Sequence, residues 1–228
     1  MKKLLWLLAG AGLLVSALPT GAGEAEDIRD RVRFQVRVSE EVANDWMRVE
    51  LAAEAQGRAP AEVAAAINEA MQWALAEARQ VPVVEARTGN YFTGQVRDKD
   101  RPGRWHGSQR LILESGDQVA LAALMGRLQQ RLTVKAVGFS VAGKSRAQAV
   151  ERLTTRAIST FRARAAKIAA DFGARGYHLV SAAIATGRSA EPAPLRVQAL
   201  AAVEVPPALE AGQGQVEVSV SGTIELVR

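Results

Sequence analysis

The closing segment QVEVSVSGTIELV, residues 215–227, places Val216, Val218, Val220, Ile224 and Leu226 on one side of an extended chain and polar residues on the other. A strand of this length with so regular an alternation needs one covered face and one wet face. The rest of the chain must therefore supply both partner strands and an apolar layer to lie on the sheet.

The partner strands are legible. Val32, Phe34, Val36 and Val38 alternate with Arg33, Gln35, Arg37 and Ser39. Met47, Val49, Leu51, Ala53 and Ala55 alternate with Arg48, Glu50 and Glu54, and this second run ends at Gly57. Both have the period of a half-wetted strand. Further strands are expected around 83–92, 105–114, near Thr133, at 177–186 and at 195–205, with the polar stretch GQVRDKDRPG at 94–103 as a long hairpin loop.

The covering layer is helical. Pro60 suits a first helical position, and Val63, Ala66, Ile67, Ala70, Met71, Ala74, Leu75 and Ala78 share a stripe that should end before Pro82. Asp117 is placed to cap a shorter helix carrying Leu121, Leu124, Met125 and Leu128. The longest helix is expected from about Ser145 to Phe172, with Val150, Ala157, Ile158, Phe161, Ala165, Ile168, Ala169 and Phe172 at helical spacing and Gly173 or Gly176 closing it. Apolar residues make up 48% of the chain and aromatics only 5%, so the core should be aliphatic, with alanine letting helices sit close to the sheet. The expectation is an α+β fold: a largely antiparallel or mixed sheet with two long helices and one shorter helix on one face, in two related helix-and-strand lobes. A transmembrane barrel is the competing picture, and three strong helical stripes do not fit it.

The N-terminus bears on compartment. Lys2 and Lys3 precede the apolar run LLWLLAGAGLLVSAL at 4–18, and small residues follow, the layout of a secretory signal peptide. It is assigned to residues 1–23, with cleavage between Ala22 and Ala25, leaving 24–228 as the mature chain. Read as an anchor, the run falls short of the ~20 apolar residues that span a bilayer and contains two glycines. With no cysteine, disulfides, thiol chemistry, Cys-based metal sites and a lipid-modified N-terminus are excluded. Export to the periplasm is expected, with no transmembrane span in the mature chain. Losing Lys2 and Lys3 lowers the formal net charge from +5 to +3. The basic stretch Arg146, Arg152, Arg156, Arg162, Arg164, Lys167 and Arg175 has no aromatic platform and lies among Glu151 and Asp171, so it reads as a solvated helix face and no nucleic-acid partner is expected.

One motif points elsewhere. GFSVAGKS at 138–145 fits G-x-x-x-x-G-K-[ST], the phosphate-cradling loop of nucleotide hydrolases. Its variable positions, Phe139, Ser140, Val141 and Ala142, instead continue a strand alternation from Val137, and a β-branched run prefers an extended ladder to an inward-curled cradle. No apolar strand ends in an Asp that would hold magnesium. Gly143 is read as a turn and Ser145 as a helix N-cap. Other chemistry is sparse. His106 and His178 lack neighbours at ligand spacing, no G-x-S-x-G or S-x-x-K occurs, and the adjacent Glu40 and Glu41 should point apart. No catalytic, cofactor-binding or metal-binding residue is assigned.

The segments VKAVGFSVAGKSRAQAVERLTTRAISTFRARAAKIAADFGARGYHLV, VEVSVSGTIEL, NDWMRVELAAEAQG and VEARTGNYFTG resemble the SIMPL domain family over most of the mature chain. The resemblance implies an exported α+β protein of two lobes, an association with envelope function and oxidative-stress defence, and in some members ring-shaped or channel-like oligomers. It supplies no active-site residue. In the family the stretch matching GFSVAGKS is a strand running into a helix, and a G-K-S ending is a departure.

The reading that follows is a non-enzymatic periplasmic protein working as an oligomeric scaffold or binding protein in envelope or oxidative-stress protection, without cofactor. The strand over 216–226 is expected to leave an edge that a second subunit pairs. The alternative is a small-ligand or peptide-binding module with a groove between lobes that uses Trp46, Trp105 and Tyr91. A nucleotide hydrolase ranks third.

Overall fold

A computed structural model describes residues 30–98, 101–187, 195–196 and 210–228. The signal-peptide assignment at 1–23 and most of the strand expected at 195–205 lie outside them. The elements run β1 (Arg31–Ala43), β2 (Trp46–Gly57), α1 (Pro60–Arg79), β3 (Glu85–Asp98), β4 (Arg101–Ser115), α2 (Gln118–Leu128), β5 (Thr133–Ser140), α3 (Gly143–Asp171), β6 (Gly176–Gly187), β7 (Leu195–Arg196) and β8 (Gln213–Val227).

The α+β expectation holds, but the single sheet resolves into two. One has the order β1-β8-β6 and the other β3-β4-β2-β5-β7, and every pairing is antiparallel. Because β1 and β8 pair along their whole length, the stretch from β2 through β5 is an inserted lobe closed off by strands from the two ends of the chain. The helices divide accordingly: α1 and α2 cover the five-stranded sheet and α3 covers the three-stranded one.

In the inserted lobe, Met47, Val49, Leu51 and Ala53 of β2 and Leu111 and Leu113 of β4 meet Val63, Ile67, Met71, Ala74 and Ala78 of α1. The α1 stripe is narrower than expected, since Ala66 is exposed. Leu121, Leu124, Met125 and Leu128 of α2 are buried, and the Asp117 carboxylate accepts from the Ala120 amide at 2.9 Å, so the expected cap is present. Residues 94–98 and 101–103 are strand rather than loop: they extend β3 and β4 as an antiparallel pair, with Val96 opposite Arg104 and Asp98 opposite Arg101. A two-stranded ribbon satisfies its backbone by cross-strand bonds whatever its side chains, and so a polar sequence can continue a strand there.

In the other lobe, the α3 stripe consists of Ala149, Leu153, Ala157, Phe161, Ala165 and Ala169, while Ile158 and Phe172 of the expected stripe are exposed. The four alanines bring the helix close to β8, where Val216, Val218, Val220 and Ile224 are buried as the alternation required. Gly222 breaks the valine pattern because Phe161 needs the space: a Cβ there would lie 2.8 Å from the ring and 2.5 Å from the Ser181 carbonyl oxygen. Phe161 also stacks on Phe34 of β1 with ring centroids 4.4 Å apart. Gly173, at φ 67°, ends the helix in the left-handed conformation that glycine adopts without cost.

Candidate functional site

The motif at 138–145 lies where the two lobes meet. Of the four positions expected to continue the strand, Phe139 and Ser140 remain in the ladder opposite Met47 and Trp46, but Val141 and Ala142 leave it. Gly143, expected to make a turn, is the first residue of α3, because the Ala142 amide is taken by Asp45. α3 then begins two residues earlier than expected, with Ala142 rather than Ser145 at the N-cap position and no cap from its own side chain. The cap comes from a distant residue. The Asp45 carboxylate, on the two-residue link between β1 and β2, accepts from the Ala142 amide at 2.6 Å and from the Ser145 hydroxyl. Burial works against the charge on Asp45, yet the Ser145 hydroxyl and the Ala142 amide outweigh it and hold its pKa below the ordinary carboxylate value. The anion-favouring start of a 29-residue helix is thus filled by the protein's own carboxylate. A phosphate there would meet a like charge, and Lys144 is exposed on the first turn.

Asn44 completes the knot. It is 5% exposed; its amide donates to the Gly212 carbonyl at 3.2 Å, its side chain to the Ala211 carbonyl at 2.7 Å, and its carbonyl accepts from Gln118 at 3.1 Å. The dipeptide Asn44-Asp45 therefore ties together the crossover between sheets, the start of α3, the approach to β8 and the start of α2. Sequence reasoning missed both residues. Their only signal was two Asx residues between strand runs, a common turn composition.

The remaining candidates stand apart from one another. His106 is on β4 with a buried Nδ1 that has no hydrogen-bond partner, and His178 is exposed on β6 in the other sheet. Glu40 pairs with Arg152 at 2.5 Å while Glu41 is exposed, so the two carboxylates do point apart. Trp46 begins β2, whereas Trp105 lies opposite Gly57 at its far end, roughly 36 Å along a strand of this length. Trp105 packs against the inserted lobe's core and Tyr91 is exposed on β3, so the three aromatics line no common groove. In the basic stretch, Arg156 donates to the Ser39 carbonyl at 2.6 Å and Lys167 pairs with Asp171 at 3.1 Å. On the open face of the inserted lobe, Arg48 bridges Glu114 at 2.8 Å and Glu50 at 2.9 Å. Burial opposes the charge on Arg48, but these two carboxylates raise its pKa above the ordinary value.

Among the described residues, β6 is an exposed edge strand without charge. The expected free edge at 216–226 does not exist, because β8 is the central strand with β1 on one side and β6 on the other. Among the described residues the edge falls on β6, where residues 178–187 are all exposed. Leu179 is 57% exposed and Ile184 51%, although both lie opposite buried residues of β8 and so face the α3 side. The helix leaves them uncovered because it leans toward β1, held there by Arg152, Arg156 and the Phe34 stack. Ile158, 38% exposed, is about 200° around the helix from Arg156 and flanks the same uncovered strip. The GYHLVSAAIATG sequence carried a signal for this: twelve residues without Asp, Glu, Lys or Arg.

Among the described residues no helix is long and apolar enough to cross a membrane. The profile of the SIMPL family, a protein of unknown function (DUF541), matches residues 20–224. No curated protein matches the chain.

Proposed function

The chain belongs to the SIMPL family, and from that premise we propose that it is an exported, non-enzymatic protein that self-associates as a scaffold or binding protein of the bacterial envelope, in envelope or oxidative-stress protection. The observation that carries self-association is β6, an uncharged edge strand whose Leu179 and Ile184 face the α3 side without cover. Exposed edges of this kind are normally blunted by charge, proline or cover, and an unblunted one is a template for another chain. Asp45 in the helix N-terminus supports reading GFSVAGKS as a structural junction rather than a nucleotide site. Light scattering of the exported protein across micromolar concentrations should give a mass above that of the monomer. A monomer throughout would remove the scaffold reading. Mass spectrometry of the exported protein should place its N-terminus between Ala22 and Ala25.

A further inference from the structure

β6 is bounded by its own symmetry. It pairs with β8 through a bulge at Val180, the register passing from Leu179 opposite Ile224 to Ser181 opposite Thr223. With Val180 set aside, eleven paired positions remain from Gly176 to Gly187, and their centre is Ala182. We propose that β6 pairs antiparallel with the β6 of a second copy about a two-fold axis through Ala182, giving one continuous sheet β1-β8-β6-β6-β8-β1. This rests on the self-association reading above and names its surface and its partner.

The register that the symmetry imposes fits the side chains. It sets Ala182 opposite the partner's Ala182, Leu179 opposite the partner's Ile184, and Tyr177 opposite the partner's Thr186. In β6 the residues at 177, 179, 182, 184 and 186 all lie opposite the inward-facing positions of β8. Both exposed apolar residues on the α3 side are therefore covered, at closed two-fold symmetry that leaves no free β6 edge. Small residues occupy the centre, Ser181, Ala182 and Ala183, where two backbones approach. A second copy brings no like charge, because the strand has none to bring. Within the three-stranded sheet the other edge, β1, is defended. β1 carries Arg33, Arg37 and Glu41, with Arg156 on the Ser39 carbonyl; β3 carries Glu85 and Arg87 at its start, but its uncharged stretch 88–96 exposes Tyr91 and Phe92, so β3 is an edge of similar character in the other sheet.

The absence of cysteine makes the test direct. In the full exported chain, Ala182→Cys puts two thiols across the axis at cross-strand distance, and mild oxidation should give a covalent dimer. Ala185→Cys, three residues from the axis, sits about 20 Å from its mate and should give none. Ile184→Lys, at an exposed position, should weaken dimerisation at least roughly tenfold, with the melting temperature matching the parent's at concentrations where both are monomeric. If assembly persists while Ala182→Cys cross-links no better than Ala185→Cys, this edge is not the interface, although the scaffold reading survives. A monomer at every concentration overturns both. A monomer whose β6 amides resist hydrogen exchange would mean that another segment of the same chain covers the edge, which also overturns the proposal.

Discussion

Asp45→Ala probes the joint between the lobes. The substitution removes the acceptor of the Ala142 amide and of the Ser145 hydroxyl, and it takes a negative charge from the start of α3. Losing an N-cap acceptor costs about 1 kcal/mol. The hydroxyl bond to a carboxylate is worth about 1 kcal/mol, and the charge near the helix dipole about 0.5 kcal/mol. The expected loss is about 2–3 kcal/mol, or roughly 5–10 °C in melting temperature for a chain of this size. The pH dependence has a definite sign. Asp45 has a lowered pKa in the folded state, so its contribution is present above the unfolded carboxylate value near 4 and is lost as pH falls through the lower folded value. Urea unfolding of Asp45→Ala beside the parent should therefore show a gap that is constant from pH 5 to 7 and narrows below about pH 4. Ser145→Ala should cost less, and the double variant should show a coupling of about 1 kcal/mol. A gap below about 0.5 kcal/mol at neutral pH, or one that has not begun to narrow by pH 3, would refute the cap.

Gly222→Ala should cost roughly 2–4 kcal/mol in urea unfolding, because its Cβ would meet both the Phe161 ring and the Ser181 backbone oxygen, and the latter cannot be moved by a rotamer change. Lys144→Ala should leave stability within about 0.5 kcal/mol of the parent, and titration with an ATP analogue and magnesium should show no saturable binding in either; micromolar binding lost in the variant would restore the nucleotide reading. Arg48→Met should destabilise by about 1–2 kcal/mol, since Glu50 and Glu114 would then face each other without their shared cation, and added salt should reduce the difference.

Much of the fold could be read locally. The alternation of β1, β2 and β8 and the stripes of α1 and α2 survive in the structure because facing is set by period, and period needs only neighbouring residues. Asp117 and Gly173 were legible for the same reason, since each acts within a few residues of its own position. The α3 stripe was read less well: the expected face included Ile158 and Phe172, whereas the helix buries its alanines against β8 and turns those two outward. Alanine carries too little hydrophobic contrast to mark the buried side unaided.

Within this chain, periodicity and the family resemblance determined that the class is α+β, that GFSVAGKS runs from a strand into a helix, and most of the strands and helices, though not the polar extension of β3 and β4. Only the tertiary structure decided which strand is central, which of the described strands is at the sheet's edge, and what fills the helix start. Those three depend on partners far apart in sequence: β1 joins β8 with Arg31 opposite Glu225, and Asp45 reaches Ser145 across 100 residues. A pattern records which side of a segment is dry. What lies beside it is set by which distant segments can close around it together, and that information is spread over the whole chain.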